Sequence, residues 1–274
     1  MFDPVIKWSG SKRSQSEDII KYFPKSIDTY YEPFCGGCSV LRRVFDSDIS
    51  VNNYVCSDIN NDLISLWNEV KNNPVLIYNH YKVLWNELNS DNNNIRRKEY
   101  FNNIKKRFND EKSPLDFMFI MRTTTNGMPR YNKNGHFNNS FHFSRPGINP
   151  EKLLNIINEW SYFLNKFNVQ FICCSYNDII AKENDFMYLD PPYANSNEMY
   201  YGIFNHEDLW NWLRKTKAKY VLSFNGKSGN IDKTYDVPKD IYRDHKYIIS
   251  GNSSFKRILG NSNNSIVSES LYIN

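Results

Sequence analysis

The chain has 274 residues, enough for one large domain or two modest ones with a real core. Its 40% hydrophobic and 16% aromatic content excludes a disordered polymer, and a net charge of only +4 does not by itself identify a nucleic-acid partner. No apolar stretch approaches the roughly 20 residues of a membrane span, so no membrane association is expected. The opening MFDPVIKWSGSKR lacks the order of a signal peptide, so a cytoplasmic location is expected. Five cysteines, an odd number, argue against a disulfide framework. Cys35 and Cys38 form a CxxC, yet no second pair completes a zinc set, and no metal is expected.

In chain order, residues 28–34 (DTYYEPF) read as a strand, 37–46 as a helix, 52–58 (NNYVCSD) as a strand and 60–71 as a helix. Residues 72–167 break that rhythm with helices, among them 151–166, and an irregular loop, which predicts an insertion. Strand patterns resume at 169–175 (VQFICCS), 186–190 (FMYLD), 219–224 (KYVLSF) and 268–273 (SESLYI). A helix is predicted over 206–216, with Asn205 as its N-cap. Strands alternating with helices imply an α/β fold, a mostly parallel sheet covered on both faces.

Charge is distributed unevenly. From Phe117 to Pro150 there is no Asp or Glu, while Arg122, Arg130, Lys133 and Arg145 fall within the stretch. It lacks helical periodicity and is rich in Asn, Thr, Gly and His, side chains that hydrogen-bond bases and phosphates. Upstream, IRRKEYFNNIKKRF adds Arg96, Arg97, Lys98, Lys105, Lys106 and Arg107, which serve equally well as a solvated helix face or as phosphate contacts.

Chemistry begins at the first strand, where YYEPFCGGCSV sets Glu32, Phe34, Gly36 and Gly37 at a strand-to-helix turn. Glycines there let backbone approach a ligand closely. The next strand ends in Asp58, about twenty residues beyond, an acid placed to hydrogen-bond ribose hydroxyls. Glu32 beside the turn is suited to a cationic amine, which favours S-adenosylmethionine over NAD, whose pyrophosphate the carboxylate would repel. Later, NDFMYLDPPYA ends a strand with Asp190, Pro191, Pro192 and Tyr193. Asp190 accepts hydrogen bonds, and Pro191 offers a carbonyl with no N–H. Together they fit an exocyclic amine such as adenine's, with its lone pair aimed at a methyl donor. Tyr193 is placed to stack on the base, and Pro192 stiffens the turn.

Read together, IKWSGSKR, EPFCGGCSV, SDINNDLISLWN, TNGMPRYNKNGHFN, CCSYNDI, YLDPPYA and VLSFNG run along nearly the whole chain. In that order they resemble the Dam family of DNA adenine-N6 methyltransferases, the type with a DPPY motif and an inserted target-recognition region. The resemblance implies a Rossmann-like methyltransferase domain over 1–71 and 168–274, and a mostly helical recognition domain with a β-hairpin loop over 72–167. It implies S-adenosylmethionine as cofactor and double-stranded DNA as partner. Trp8 and Lys12 would border the cofactor, Phe34 with Gly36 and Gly37 would hold its methionine part, Asp58 its ribose, and Tyr176 with Asp178 its adenine. Lys7 would reach toward the DNA. Asn126, Met128 and Arg130 fall where members touch the duplex, with Asn132, Lys133 and Arg145 nearby. Arg130 is the side chain shaped to read a guanine. Members commonly modify the adenine of GATC, from which Met128 and Pro129 mark a departure. Nothing in the sequence sets the oligomeric state, a monomer or a weak dimer on DNA.

Rival readings diverge at particular residues. An N6-adenine RNA methyltransferase usually has Asn in place of Asp190, and a cytosine-N4 enzyme more often begins that motif with Ser. A DNA-binding protein without catalysis predicts decay of Asp190, Asp58 or the glycines, all of which are present. An NAD-dependent oxidoreductase requires a full GxGxxG, which the chain lacks.

Overall fold

The computed structural model describes residues 2–125, 127, 129–193, 204–229, 231–252 and 266–274. The elements begin with α1 (Ser16–Ile19), β1 (Ser26–Glu32), α2 (Ser39–Phe45) and β2 (Ser50–Asp58). Then come α3 (Asn61–Asn72), α4 (Pro74–Leu88), α5 (Asn94–Glu111), α6 (Pro114–Thr123) and α7 (Pro150–Lys166). The chain continues through β3 (Gln170–Cys173), β4 (Phe186–Leu189), α8 (His206–Lys215) and β5 (Lys219–Ser228). It closes with β6 (Ile231–Asp232), β7 (Asp244–Asn252) and β8 (Ile266–Ile273). These elements divide into two compact units, one holding the described residues of 2–10 and 60–173, the other those of 11–59 and from 174 onward.

In the second unit the strands lie in the order β2-β1-β4-β5-β8-β7. Parallel pairing joins β1 to β2, β1 to β4 and β4 to β5. All four residues of β4, FMYL, are buried, as a central parallel strand covered on both faces requires. Against it α8 lays Leu209, Trp210 and Leu213 over Met187, Leu189, Tyr220 and Leu222. The Asn205 side chain accepts from the Glu207 N–H at 3.0 Å, the N-cap expected. Acids in the first turn and bases in the last match the helix dipole.

The parallel arrangement stops at β5. Beyond it β8 and β7 pair antiparallel, and β6 folds back on the end of β5. β7 has no counterpart among the expected strands, because His245, Lys246, Tyr247 and Ile249 are half-buried or exposed and Ile248 is buried. An edge strand that buries little shows no clean alternation.

Because β2 lies on one side of β1 and β4 on the other, the carboxyl ends of β1 and β4 form a topological switch point. That is where α/β sheets bind ligands.

The helical unit is built around α6, whose residues from Asp116 to Thr123 are all buried. Asn60, Asn93 and Asn149 cap α3, α5 and α7 through their side chains. Trp160 of α7 packs on Trp67 of α3 at 5.0 Å and on Phe2 at 5.8 Å, and its indole N–H donates to the Asp3 carbonyl at 2.9 Å. Asp116 is buried inside this unit. Burial alone would raise its pKa, yet Arg107 at 2.5 Å and His80 at 2.7 Å hold it below the ordinary value. Between α6 and α7 the chain forms a hairpin with antiparallel bridges Thr124–Phe141 and Tyr131–Phe137.

Gly226 of β5 has no room for a side chain. A Cβ there would lie 2.2 Å from the Ser268 carbonyl oxygen and 2.7 Å from the Glu269 Cα. Gly226→Ala should therefore destabilise the fold by about 1–3 kcal/mol, the usual cost of overpacking. A urea or thermal unfolding midpoint equal to the parent's would contradict this contact.

Candidate functional site: the carboxyl edge of the sheet

The turn after β1 is drawn onto the end of β2 by backbone. Cys35 N–H donates to the Ser57 carbonyl at 3.0 Å, and Gly36 N–H donates to Asp58 Oδ2 at 3.2 Å. Gly36 adopts φ 44°, a left-handed conformation that glycine takes without strain. Phe34 and Gly37 are half-buried beside it, and Asp58 is half-buried at the end of its strand.

Glu32 lies under this turn, buried. Its Oε2 accepts from the Tyr30 hydroxyl at 2.8 Å and from the Leu41 N–H at 2.9 Å. Burial nonetheless pushes its carboxyl up to about 8. Such a group gains most from a neighbouring cation. Cys35, Cys38 and Cys56 are buried nearby, and burial holds all three above the ordinary thiol range, Cys35 at about 12. They are thiols rather than nucleophilic thiolates, in keeping with a structural role.

A half-buried aromatic group lines the same edge. Tyr176 lies 5.4 Å from Phe34, 5.6 Å from Phe204 and 5.4 Å from Trp212. Asp178 is exposed, and its Oδ2 accepts from the Ser175 N–H at 3.0 Å, closing the turn that carries Tyr176. Phe204 and Trp212 were not among the expected site residues. Their signal is faint, two aromatic rings in GIFNHEDLWNW with no motif around them.

At the end of β4, Asp190 Oδ2 accepts from Lys12 Nζ at 2.7 Å, and the Lys12 side chain is only 4% exposed. Glu269 of β8 places Oε2 3.6 Å from the same ammonium and accepts from the Tyr193 hydroxyl at 2.8 Å. The Tyr193 ring lies 5.1 Å from Lys12 Nζ and 5.7 Å from the Phe224 ring. Pro191 is buried, and the Pro192 carbonyl lies 3.1 Å from His206 Nε2, so the turn is anchored from α8. Burial raises Asp190 to about 6; Lys12 pulls it down and Glu269 pushes it up. Burial works against the Lys12 ammonium, but Asp190 and Glu269 outweigh it and raise its pKa. Glu269 and His206 were missed from sequence, since neither sits in a recognisable pattern.

The remaining expected residues belong to the helical unit. Trp8 and Lys7 are half-buried. Ser9 N–H donates to the Gly127 carbonyl at 3.0 Å, and a Cβ on Gly127 (φ 61°) would lie 2.5 Å from Lys7 Cβ. Burial, then Arg145 and Arg122, lower the pKa of Lys7. Burial, then Lys7 and Arg145, lower that of His142. Lys7 thus lies close to three basic side chains of the acid-free stretch, Arg122, His142 and Arg145. Arg122 is buried and donates to the Pro4 carbonyl, while Arg145 is exposed.

Arg130 and Lys133 are exposed on the hairpin. The Arg130 backbone is held at both ends, its N–H by Asn139 Oδ1 at 2.7 Å and its carbonyl by the Asn138 N–H at 2.9 Å. Asn132 Oδ1 accepts from the N–H groups of Asn134 and His136, so it builds the hairpin turn. Asn126 and Met128 lie outside the described residues. Of the basic run in α5, Arg96 bonds the Glu87 and Leu88 carbonyls at the end of α4, Arg97 bonds the Leu88 carbonyl, and Arg107 pairs with Asp116. Those three act within the unit's own packing.

Glu32 makes stability depend on pH in a definite direction. Its folded pKa of about 8 lies above the ordinary 4.5, so the folded chain keeps a proton that the unfolded chain sheds. Its contribution is fully present below pH 4.5 and is lost as pH rises toward 8. Glu32→Gln removes that loss. Its melting temperature, measured against the parent's, should gain several degrees between pH 5 and pH 9; a difference independent of pH would contradict the assignment.

A family model described as D12 class N6 adenine-specific DNA methyltransferase matches residues 8–258. The DNA adenine methylase of Vibrio cholerae serotype O1 is 35% identical over 196 residues, 69% of this chain and 64% of that protein. The DNA adenine methylase of Escherichia coli is 34% identical over the same shares. The chain therefore spans slightly under two thirds of the length of these two relatives. A type II methyltransferase of a Paramecium bursaria Chlorella virus is 28% identical over 243 residues, 85% of this chain and 86% of that protein. With the family model covering most of its length and these motifs gathered at the carboxyl edge of its sheet, the chain belongs to the D12 class of N6 adenine-specific DNA methyltransferases.

Proposed function

We propose that the protein transfers the methyl group of S-adenosylmethionine to the N6 amine of an adenine flipped out of double-stranded DNA. The observation that carries this reading is the Asp190 carboxylate, set at the switch point of the sheet at the end of β4, held there by Lys12 and followed directly by Pro191. The carboxylate and the carbonyl of the next residue are two acceptors with no N–H from the proline, the complement of the two N–H bonds of an aromatic amine.

The residues of the first strand turn fit the cofactor. Gly36 and Gly37 admit close backbone approach, and Asp58 lies beside them for the ribose. The buried carboxyl of Glu32 is suited to the cofactor's amino group, and the rings of Phe34, Tyr176, Phe204 and Trp212 to its apolar and aromatic parts. When bound, S-adenosylmethionine supplies an electron-poor methyl carbon on a sulfonium whose sulfur leaves with the bonding pair.

The chain's own task is to present the nucleophile. Asp190 and the Pro191 carbonyl take the two N–H bonds and leave the nitrogen lone pair free to form the new bond to carbon. Methylation makes the nitrogen cationic, and one proton must then leave. Asp190, near pKa 6, already holds a hydrogen bond to it and is the nearest base. Tyr193 stacks on the flipped ring, which offsets part of the few kcal/mol that unstacking costs. In the helical unit, Lys7, Arg145 and Lys133 supply charge for phosphates. Arg130, exposed on a hairpin that fixes its backbone, reads a guanine such as the one in GATC.

Asp190→Asn should lower kcat for methyl transfer from S-adenosylmethionine to a mixed-sequence duplex by about 10²–10³-fold, with duplex affinity kept within a few fold. Unchanged turnover would remove the proposed chemistry. Arg130→Ala should weaken specific duplex binding by about 1–3 kcal/mol and relax the preference for one guanine. In a binding assay across base-substituted duplexes, an equal loss on every sequence would instead make Arg130 a phosphate contact.

A further inference from the structure

Glu269 stands outside every motif, yet it is the group that joins the two halves of the amine site. It projects from β8, a strand antiparallel to β5, and its side chain is 17% exposed. One oxygen, Oε2, accepts from the Tyr193 hydroxyl at 2.8 Å and lies 3.6 Å from Lys12 Nζ. That ammonium is 2.7 Å from Asp190 on its other side. Two carboxylates therefore share one buried cation, and the second also holds the ring proposed to carry the base.

The physical consequence follows from the charge count. An ammonium paired with Asp190 alone would draw electron density from that carboxylate and weaken it as an acceptor. A second carboxylate takes up part of the ammonium's pull and keeps Asp190 basic. The phenol of Tyr193 is held well above its ordinary pKa by burial, then by Asp190 and Glu269, so it stays a donor and its ring is tethered through the hydroxyl. We infer that Glu269 is a positioning residue for methyl transfer: it fixes the Tyr193 ring and divides the Lys12 charge, so that Asp190 stays a strong acceptor for the target amine. This rests on the reading of the site as an adenine methyltransferase.

The charged and titratable groups facing Asp190 are Lys12 from the N-terminal segment, Glu269 from β8, Tyr193 from its own turn, Glu32 from β1 and Tyr188 from β4. Among them Lys12 lowers the Asp190 pKa and Glu269 raises it. The two predict opposite movements of the acid limb of the pH–rate profile, which no loss of general stability would produce.

The test compares the parent, Glu269→Gln, Glu269→Asp and Lys12→Met on a duplex carrying 2-aminopurine at the target adenine and on its adenine counterpart. Glu269→Gln should lower kcat about tenfold or more with KM for DNA within twofold, and should move the acid limb to lower pH. Lys12→Met should move the limb to higher pH. Glu269→Asp should recover part of kcat, and the 2-aminopurine signal of Glu269→Gln should be brighter than the parent's because a neutral amide accepts more weakly than a carboxylate and holds the quenching Tyr193 ring less firmly. A Glu269→Gln enzyme with the parent's kcat and limb, or a limb that moves upward, overturns the inference while leaving the methyltransferase reading intact. A parent that methylates no adenine removes both. If Glu269→Gln does not fold, Tyr193→Phe removes the hydrogen bond to Glu269 outright. It should show the same fluorescence gain from a loosened ring, and an unaltered signal overturns the tether.

Discussion

The ion pair between Lys12 and Asp190 is the constraint on which the site depends. Each partner would be costly to bury alone, by several kcal/mol, and removing Lys12 would leave the carboxylates of Asp190 and Glu269 without their cation, a loss of about 3–5 kcal/mol. Together, at 2.7 Å, they hold a carboxylate at the end of a strand whose four residues are all buried. The pair also explains why residues 11–15 sit where they do: Lys12 is chained to the central strand across 178 positions of sequence. The acid proposed to present the amine is thereby kept ionisable in a place where burial favours its neutral form.

Carboxyl groups along one edge of the sheet are set to different tasks by their surroundings. Glu32 has a phenol and a backbone N–H as partners and burial dominates, so it holds its proton to about pH 8. Asp190 has a lysine, and its pKa stops near 6. Asp58 is half-buried and takes a backbone amide of the glycine turn. A sheet edge proposed to bind a cation, a ribose and an amine needs unlike acids, and burial with partner choice makes them unlike.

Much of this was legible in the sequence where one face or one turn dictates residue type. FMYL reads as a buried strand because a central parallel strand is apolar on both faces, and Asn205 reads as a cap because its side chain has one obvious use. Glu32, Asp58 and Asp190 were legible because each ends a strand. β7 was not, since an edge strand exposes most of its side chains. Nor was Glu269, whose partner Tyr193 lies 76 residues away and whose own strand shows only SESLYI. The basic run in α5 stayed open between a solvated face and phosphate contact for a related reason: Arg96 and Arg97 are used on the carbonyls that end α4, acceptors that carry no signature in sequence.

The central claim is that Asp190 and its turn present an adenine of DNA for methylation. It is tested most directly by expressing the protein and its Asp190→Ala form in a host lacking adenine methylation, then sequencing the genomic DNA for modified adenines. The account predicts N6-methyladenine at one short motif containing a guanine with the parent protein, and none with Asp190→Ala. Unmodified DNA from the parent, or equal modification by both, would contradict it.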